Sequence, residues 1–253
     1  MLTESGADVT AIDITLGGRA HDLSRTAVAN AILLRIAAGE FDAIHIATPC
    51  ESYSPNHDEA LRTTTAPEGV EPMPEVARAY ISYHNRLAHF TACAITAATA
   101  STTLVSLENS PARGDAASPA YWSEMADRGS IWDMPRVATA LRKAGALPVT
   151  FAMCALGAKA QKWTTIAASG ALGDELQCLA RFVCPHGDRR HPERARGPAS
   201  GPGPRPKAAH APSERRRTPT ACASCSPQPS CGPWPTLPAA PQPPARRAQA
   251  TAG

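Results

Sequence analysis

Ala43-Ile44-His45-Ile46-Ala47-Thr48-Pro49-Cys50 is the stretch whose reading decides the fold. An apolar run closed by a proline reads as a buried parallel strand over 43–47 that ends where Cys50 begins. Ligands of open α/β sheets bind at the carboxyl ends of strands, so Cys50 stands where an exposed nucleophile would be held on a rigid element. A second strand-like run, Thr103 to Leu107, leads into Glu108-Asn109-Ser110-Pro111. Two strand ends then offer a thiol and a carboxylate to one crevice.

Working outward from 43–47, the preceding segment carries Val28, Ile32, Leu33 and Ile36 at helical spacing. Ser24 is the expected cap of a helix from about Arg25 to Ala38, and Gly39 its stop. Asp8 to Ile14 reads as a short strand ending near Asp13. This is a β-α-β unit, the building block of a parallel sheet. Downstream, prolines 55, 67, 72 and 74 and the Thr63-Thr64-Thr65 run mark a long loop from Ser52 to Pro74, either a lid or mere disorder.

Glu75 to Ala98 is the best helix, with an expected buried stripe of Val76, Tyr80, Tyr83, Leu87, Phe90 and Ala94. His84 and His89 on it read as solvated or capping groups, and His21 beside Asp22 as a turn residue. Ser118-Pro119 is expected to open a short helix, and Asp133 with Pro135 another that buries Val137 and Leu141 and ends before Gly145. Strands are expected over 148–152 and 163–168, then a helix over 172–182. Only about ten residues separate those two strands, too few for a helical crossover, so they form an antiparallel hairpin. The expected fold is α/β: a mostly parallel sheet with one late antiparallel hairpin and helices on both faces.

The chain has 253 residues, 43% apolar, but its composition is not uniform. Apolar periodicity runs to about 197. Beyond it proline, alanine and arginine dominate, so 1–197 is read as the folded domain and 198–253 as a disordered tail. The net charge of +3 hides a basic stretch between Arg181 and Arg217, which suits either a solvated tail or attraction to nucleic acid by counterion release. No signal peptide and no membrane-length apolar run are present, so an intracellular location, nucleus or cytoplasm, with free thiols is expected. Cys178, Cys184, His186 and His191 are spaced like a loose zinc set, and Cys222-x-x-Cys225 with Cys231 is a second. Neither is taken as a metal site on spacing alone, and Cys154, at a strand end, reads as core.

Together the motifs resemble the DNA cytosine-5 methyltransferase superfamily, in its divergent branch found in phage-type and retroelement-linked proteins. Thr48-Pro49-Cys50-Glu51-Ser52-Tyr53-Ser54 is similar to the Pro-Cys nucleophile loop. Leu107-Glu108-Asn109-Ser110-Pro111 is similar to the Glu-Asn motif. Cys154 to Thr164, with Gly157, Gln161 and Lys162, is similar to the late motif. Val9 to Asp13 and His21-Asp22-Leu23 are similar to the two acidic cofactor turns. The resemblance covers roughly residues 5 to 197, with Lys162 and Trp163 standing where the classical enzymes have arginines. The glycine-rich turn that would precede Asp13 in the family has no counterpart, so an N-terminally incomplete domain lacking the first strand is expected.

That resemblance implies a Rossmann-like methyltransferase sheet, S-adenosylmethionine as cofactor and DNA as partner. It makes Cys50 the nucleophile on carbon 6 of a flipped cytosine and Glu108 the group at ring nitrogen 3. Asp13 and Asp22 would hold the cofactor, weakly if the glycine turn is lacking. Ser54, Asn109, Gln161 and Lys162 would contact the substrate. The competing reading is a non-catalytic, nucleic-acid-associated remnant of the same fold.

Overall fold

The computed structural model describes residues 6–54, 60–160 and 162–186. Gln161, His191, the cysteines at 222, 225 and 231, the boundary at 197 and the tail over 198–253 all lie outside the described residues.

Among the described residues four strands form one mixed sheet: β1 (Ala43–Ala47), β2 (Leu104–Asn109), β3 (Leu147–Ala152) and β4 (Trp163–Ala168). Their order across the sheet is β1-β2-β4-β3. β1 and β2 are parallel, with Ala43 opposite Leu104 and Ala47 opposite Glu108. β4 is antiparallel to both β2 and β3. β1, β2 and β3 therefore run the same way, but β4 inserts between β2 and β3. That insertion corrects the mostly parallel expectation, because two of the three pairings become antiparallel. The late hairpin is present, and β4 has the bounds read from sequence.

β1 is the sheet's edge, not the buried strand expected. None of its residues is fully buried, and Ala43, His45 and Ala47 are exposed. The strand expected over Asp8–Ile14 is absent. Residues 8–13 have no regular structure, and Ile14–Gly17 is a single helical turn, α1. An alternating Val-Thr-Ala-Ile sequence has strand propensity, but propensity needs a partner strand to act on. Here β1 has no neighbour on its outer side among the described residues.

α2 (Thr26–Ala37) buries Ala29, Leu33 and Ile36 and ends at Gly39, whose φ of 70° suits glycine. Arg25, not Ser24, is its N-cap, and no side chain caps it. α3 (Glu75–Ala100) is longer than expected, and its most buried line is Ile81, His84, Ala88, Thr91, Ile95 and Ala98, each at most 3% exposed. Leu87, Phe90 and Ala94 of the expected stripe are buried too, but Val76 is exposed, Tyr80 and Tyr83 are half-buried, and His84, expected to be solvated or capping, is core. α4 (Pro135–Lys143) buries Val137, Ala140 and Leu141, with proline at its first turn. No helix opens at Ser118; its hydroxyl accepts from the Ala120 amide in a turn. α5 (Gly170–Leu176) is followed by a 3-10 turn over Gln177–Arg181 instead of continuing as one helix.

α3 packs against α2, α4 and β2, and α5 against β2, β3 and β4. Val105, Leu107, Val149, Phe151 and Ala167 form the apolar centre of the sheet. No helix among the described residues is long and apolar enough to cross a membrane.

Candidate active site

β1 and β2 are neighbours running in parallel, so their carboxyl ends open at the same edge of the sheet. Cys50 follows β1 by three residues. It is half-buried and caps a 3-10 turn over Glu51–Tyr53, its carbonyl accepting the Tyr53 amide at 3.0 Å. Glu108 lies within β2, one residue before its end, where the sequence reading had placed it just beyond the strand.

Asn109 holds these two ends together. It is fully buried, and its side-chain amide donates to the Thr48 carbonyl at 2.7 Å. Its own Oδ1 accepts the Ser110 amide at 3.0 Å. Asn109 thus positions the backbone two residues before Cys50, with both its amide N and its Oδ1 engaged within the protein. Thr48 is tied a second time, to helix α3, through a 2.6 Å contact with the Thr91 hydroxyl. Thr91 spends its proton on the Leu87 carbonyl, so Thr48 is the donor of that pair. Beyond β2 the Trp132 indole N–H donates to the Ser110 carbonyl at 2.7 Å and fixes the following turn.

Arg62 is the group that sequence reasoning missed. A charged residue in a proline-rich loop reads as solvated, yet Arg62 is 2% exposed. Its guanidinium reaches Ser52 Oγ at 3.2 Å, the Pro67 carbonyl at 2.5 Å and Asn85 Oδ1 at 2.7 Å. It stacks over the Tyr53 ring at 4.3 Å. The 3-10 turn that carries Cys50 is therefore built on a buried cation. Burial pulls the Arg62 pKa down, and burial pushes that of Tyr53 up with Arg62 opposing. The loop behind Arg62 is stitched to the 127–129 segment: the Gly129 amide donates to the Arg62 carbonyl at 3.1 Å. A Cβ on Gly129 would sit 2.6 Å from the Thr63 carbonyl oxygen, so only glycine fits this approach. The described part of the expected lid is thus packed structure.

Lys162, the residue before β4, approaches Glu108 at 3.4 Å. Its side chain is half exposed. Ser54 ends the 3-10 turn that follows Cys50 and is half-buried.

The two acids expected at the cofactor are both turn-formers. Asp13 is exposed; its Oδ1 accepts the Thr15 hydroxyl at 2.5 Å and the Thr15 amide at 2.7 Å, which lowers its pKa. His21 joins the same turn, its Nδ1 3.4 Å from the Asp13 amide. Asp22 Oδ1 accepts the Ser24 hydroxyl at 2.6 Å and the Ser24 amide at 3.0 Å. Tyr83 has its pKa raised first by burial, then by the nearby charge of Asp22, with a smaller contribution from Glu51. Tyr80, one turn earlier on α3, is raised by burial, then by Glu51, and also by Cys50. One stretch of α3 therefore feels the charge of both Asp22 and Glu51.

Comparisons of the chain with protein-family models, with curated proteins and with solved structures return no match. The site has to be read from its own chemistry.

Proposed function

We propose that the carboxyl edge of β1 and β2 is a cytosine-activating site of the DNA cytosine-5 methyltransferase type. The observation that carries this reading is the pairing of β1 with β2 in a register that sets Ala47 beside Glu108, with Asn109 clamping Thr48 two residues before the thiol. The mixed sheet with a late antiparallel hairpin supports a methyltransferase-like sheet as its frame.

Carbon 5 of cytosine is a poor nucleophile. Addition of the Cys50 thiolate to carbon 6 pushes electrons toward carbon 5 and nitrogen 3. The Glu108 carboxyl group, hydrogen-bonded at nitrogen 3, stabilises the charge that develops there. Lys162 swings from Glu108 toward the nucleic-acid backbone as the base enters. A base within a duplex is out of reach, so the target is extruded or single-stranded.

S-adenosylmethionine would supply the methyl group when bound. Asp13 and Asp22 each spend Oδ1 on a local turn, so the second carboxylate oxygen of each would be the one to hold it. The chemistry assigned to this chain's own residues is the activation of the base. The outer edge of β1, which pairs with no strand among the described residues, favours a second reading, a non-catalytic, nucleic-acid-associated form of the fold.

The two readings separate in an assay that needs no cofactor. After Cys50 adds to carbon 6, carbon 5 takes a proton from solvent, loses its original proton, and the thiolate leaves. The expected result is exchange of the cytosine carbon-5 hydrogen with deuterated water, lost in Cys50→Ser. Binding of DNA without exchange supports the second reading.

A further inference from the structure

We propose that Cys154, Cys184 and His186 form a binding site for one zinc-type divalent ion, which staples the segment after α5 to the end of β3. The three ligand atoms lie within 4.8 Å of one another, and Cys184 Sγ is 3.7 Å from His186 Nδ1. A tetrahedral ion with Zn–S of about 2.3 Å and Zn–N of about 2.0–2.1 Å spaces its ligand atoms roughly 3.5–3.8 Å apart. Small side-chain rotations therefore bring the three ligands onto an ion, whose fourth position a water would complete. Two thiols with one imidazole select zinc over calcium or magnesium, which prefer oxygen ligands.

The backbone holds the ligands in place independently of any ion. Cys154 is buried in the 3-10 turn that follows β3. Gly157 closes that turn at φ 94°, its amide donating to the Cys154 carbonyl at 3.2 Å. On the other strap, the Phe182 carbonyl accepts the Ala152 amide at 2.8 Å, fixing the chain two residues before both Cys154 and Cys184. Pro185 restricts the backbone between Cys184 and His186. Cys178 is exposed and outside the cluster, so the set differs from the one sequence spacing suggested.

The ion would also act on the edge where Glu108 lies. The Met153 amide donates to the Lys162 carbonyl at 2.9 Å, closing the loop that starts beside Cys154 and ends at the lysine facing Glu108. Binding releases the protons of both thiols, so occupancy falls in acid.

The test is metal analysis of the full chain purified without chelator, followed by cobalt substitution. About one zinc per chain is expected, and the cobalt form should have the absorption of a tetrahedral thiolate site. Cys184→Ser and His186→Ala, on the peripheral strap, and Cys154→Ser should each reduce occupancy to below about a tenth of an ion per chain. Cys178→Ser and the double variant Cys222→Ser, Cys225→Ser should keep it. A metal-free protein, with Cys154 and Cys184 either reduced or joined in a disulfide two hydrogens lighter, would overturn the proposal. So would zinc that survives Cys184→Ser and His186→Ala while the folded circular dichroism spectrum is retained.

Discussion

Asn109 and Arg62 do for the site what the sequence motifs alone do not reveal. Asn109 matches a substrate-contacting position by resemblance, yet its buried amide is spent on the Thr48 carbonyl. Replacing it with alanine leaves that carbonyl without its donor, so Asn109→Ala should cost about 1–3 kcal/mol in chemical denaturation. It should also slow cytosine exchange more than it weakens DNA binding, because it displaces Cys50 without removing a phosphate contact. Arg62→Lys should fail to restore the wild-type stability lost in Arg62→Ala. An ammonium can neither stack flat on Tyr53 nor reach Ser52, Pro67 and Asn85 together. A thermal melt in which Arg62→Lys matches wild type would contradict the described packing.

His89 makes a residue-scale prediction in pH. Burial, then the Arg136 guanidinium 3.0 Å from its ring, lowers its pKa in the folded protein. The unfolded chain then binds a proton more readily, near the ordinary value of about 6.5. The neutral imidazole's contribution is complete above that value and is lost as pH falls toward the folded pKa. Thermal melts of wild type and His89→Gln between about pH 5 and 8 should diverge on the alkaline side and converge in acid.

At the scale of elements, what was legible depended on whether local pattern and tertiary context agreed. β4 and the hairpin were readable because a short connection admits only one geometry. α4 was readable because Pro135, Val137, Leu141 and Gly145 give concordant signals. α3 was found, with Leu87, Phe90 and Ala94 buried as expected, but the centre of its buried face was not, because His84 and Thr91 lie there and polar residues do not register as core. The Asp8–Ile14 segment misled because strand propensity carries no information about a partner. The Cys154, Cys184 and His186 cluster was half legible: Cys184 and His186 lie two residues apart in sequence, but Cys154 is brought to them by the Ala152–Phe182 backbone bond. Arg62 left no sequence signal, since its partners are a hydroxyl, an amide, a carbonyl and an aromatic ring drawn from separate segments.

β1 is the element whose behaviour tests this picture. An edge strand without charge or bulge is a template for pairing. His45 is the one polar residue of β1, and its ring bonds Ser106 at 2.9 Å across the sheet. Substituting Ala43→Lys, on the exposed face, should leave stability within about 0.5 kcal/mol and reduce any self-association measured by sedimentation. A loss of several kcal/mol would mean that the outer edge of β1 is covered.

For the whole molecule, the described sheet carries Cys50 and Glu108 at the carboxyl ends of two paired parallel strands, while both expected cofactor acids serve as turn acceptors. The central claim is that Cys50 and Glu108 act on one cytosine. It is tested most directly by covalent trapping with DNA that carries 5-azacytosine. Thiolate addition at carbon 6 and protonation of ring nitrogen 5 leave an adduct that is slow to revert, and no methyl donor is required. We expect a protein–DNA adduct that resists denaturing electrophoresis, maps by mass spectrometry to Cys50, disappears in Cys50→Ser and forms at least about tenfold more slowly in Glu108→Gln. No adduct with wild type under conditions where the DNA is bound, or an adduct that persists in Cys50→Ser, would contradict it.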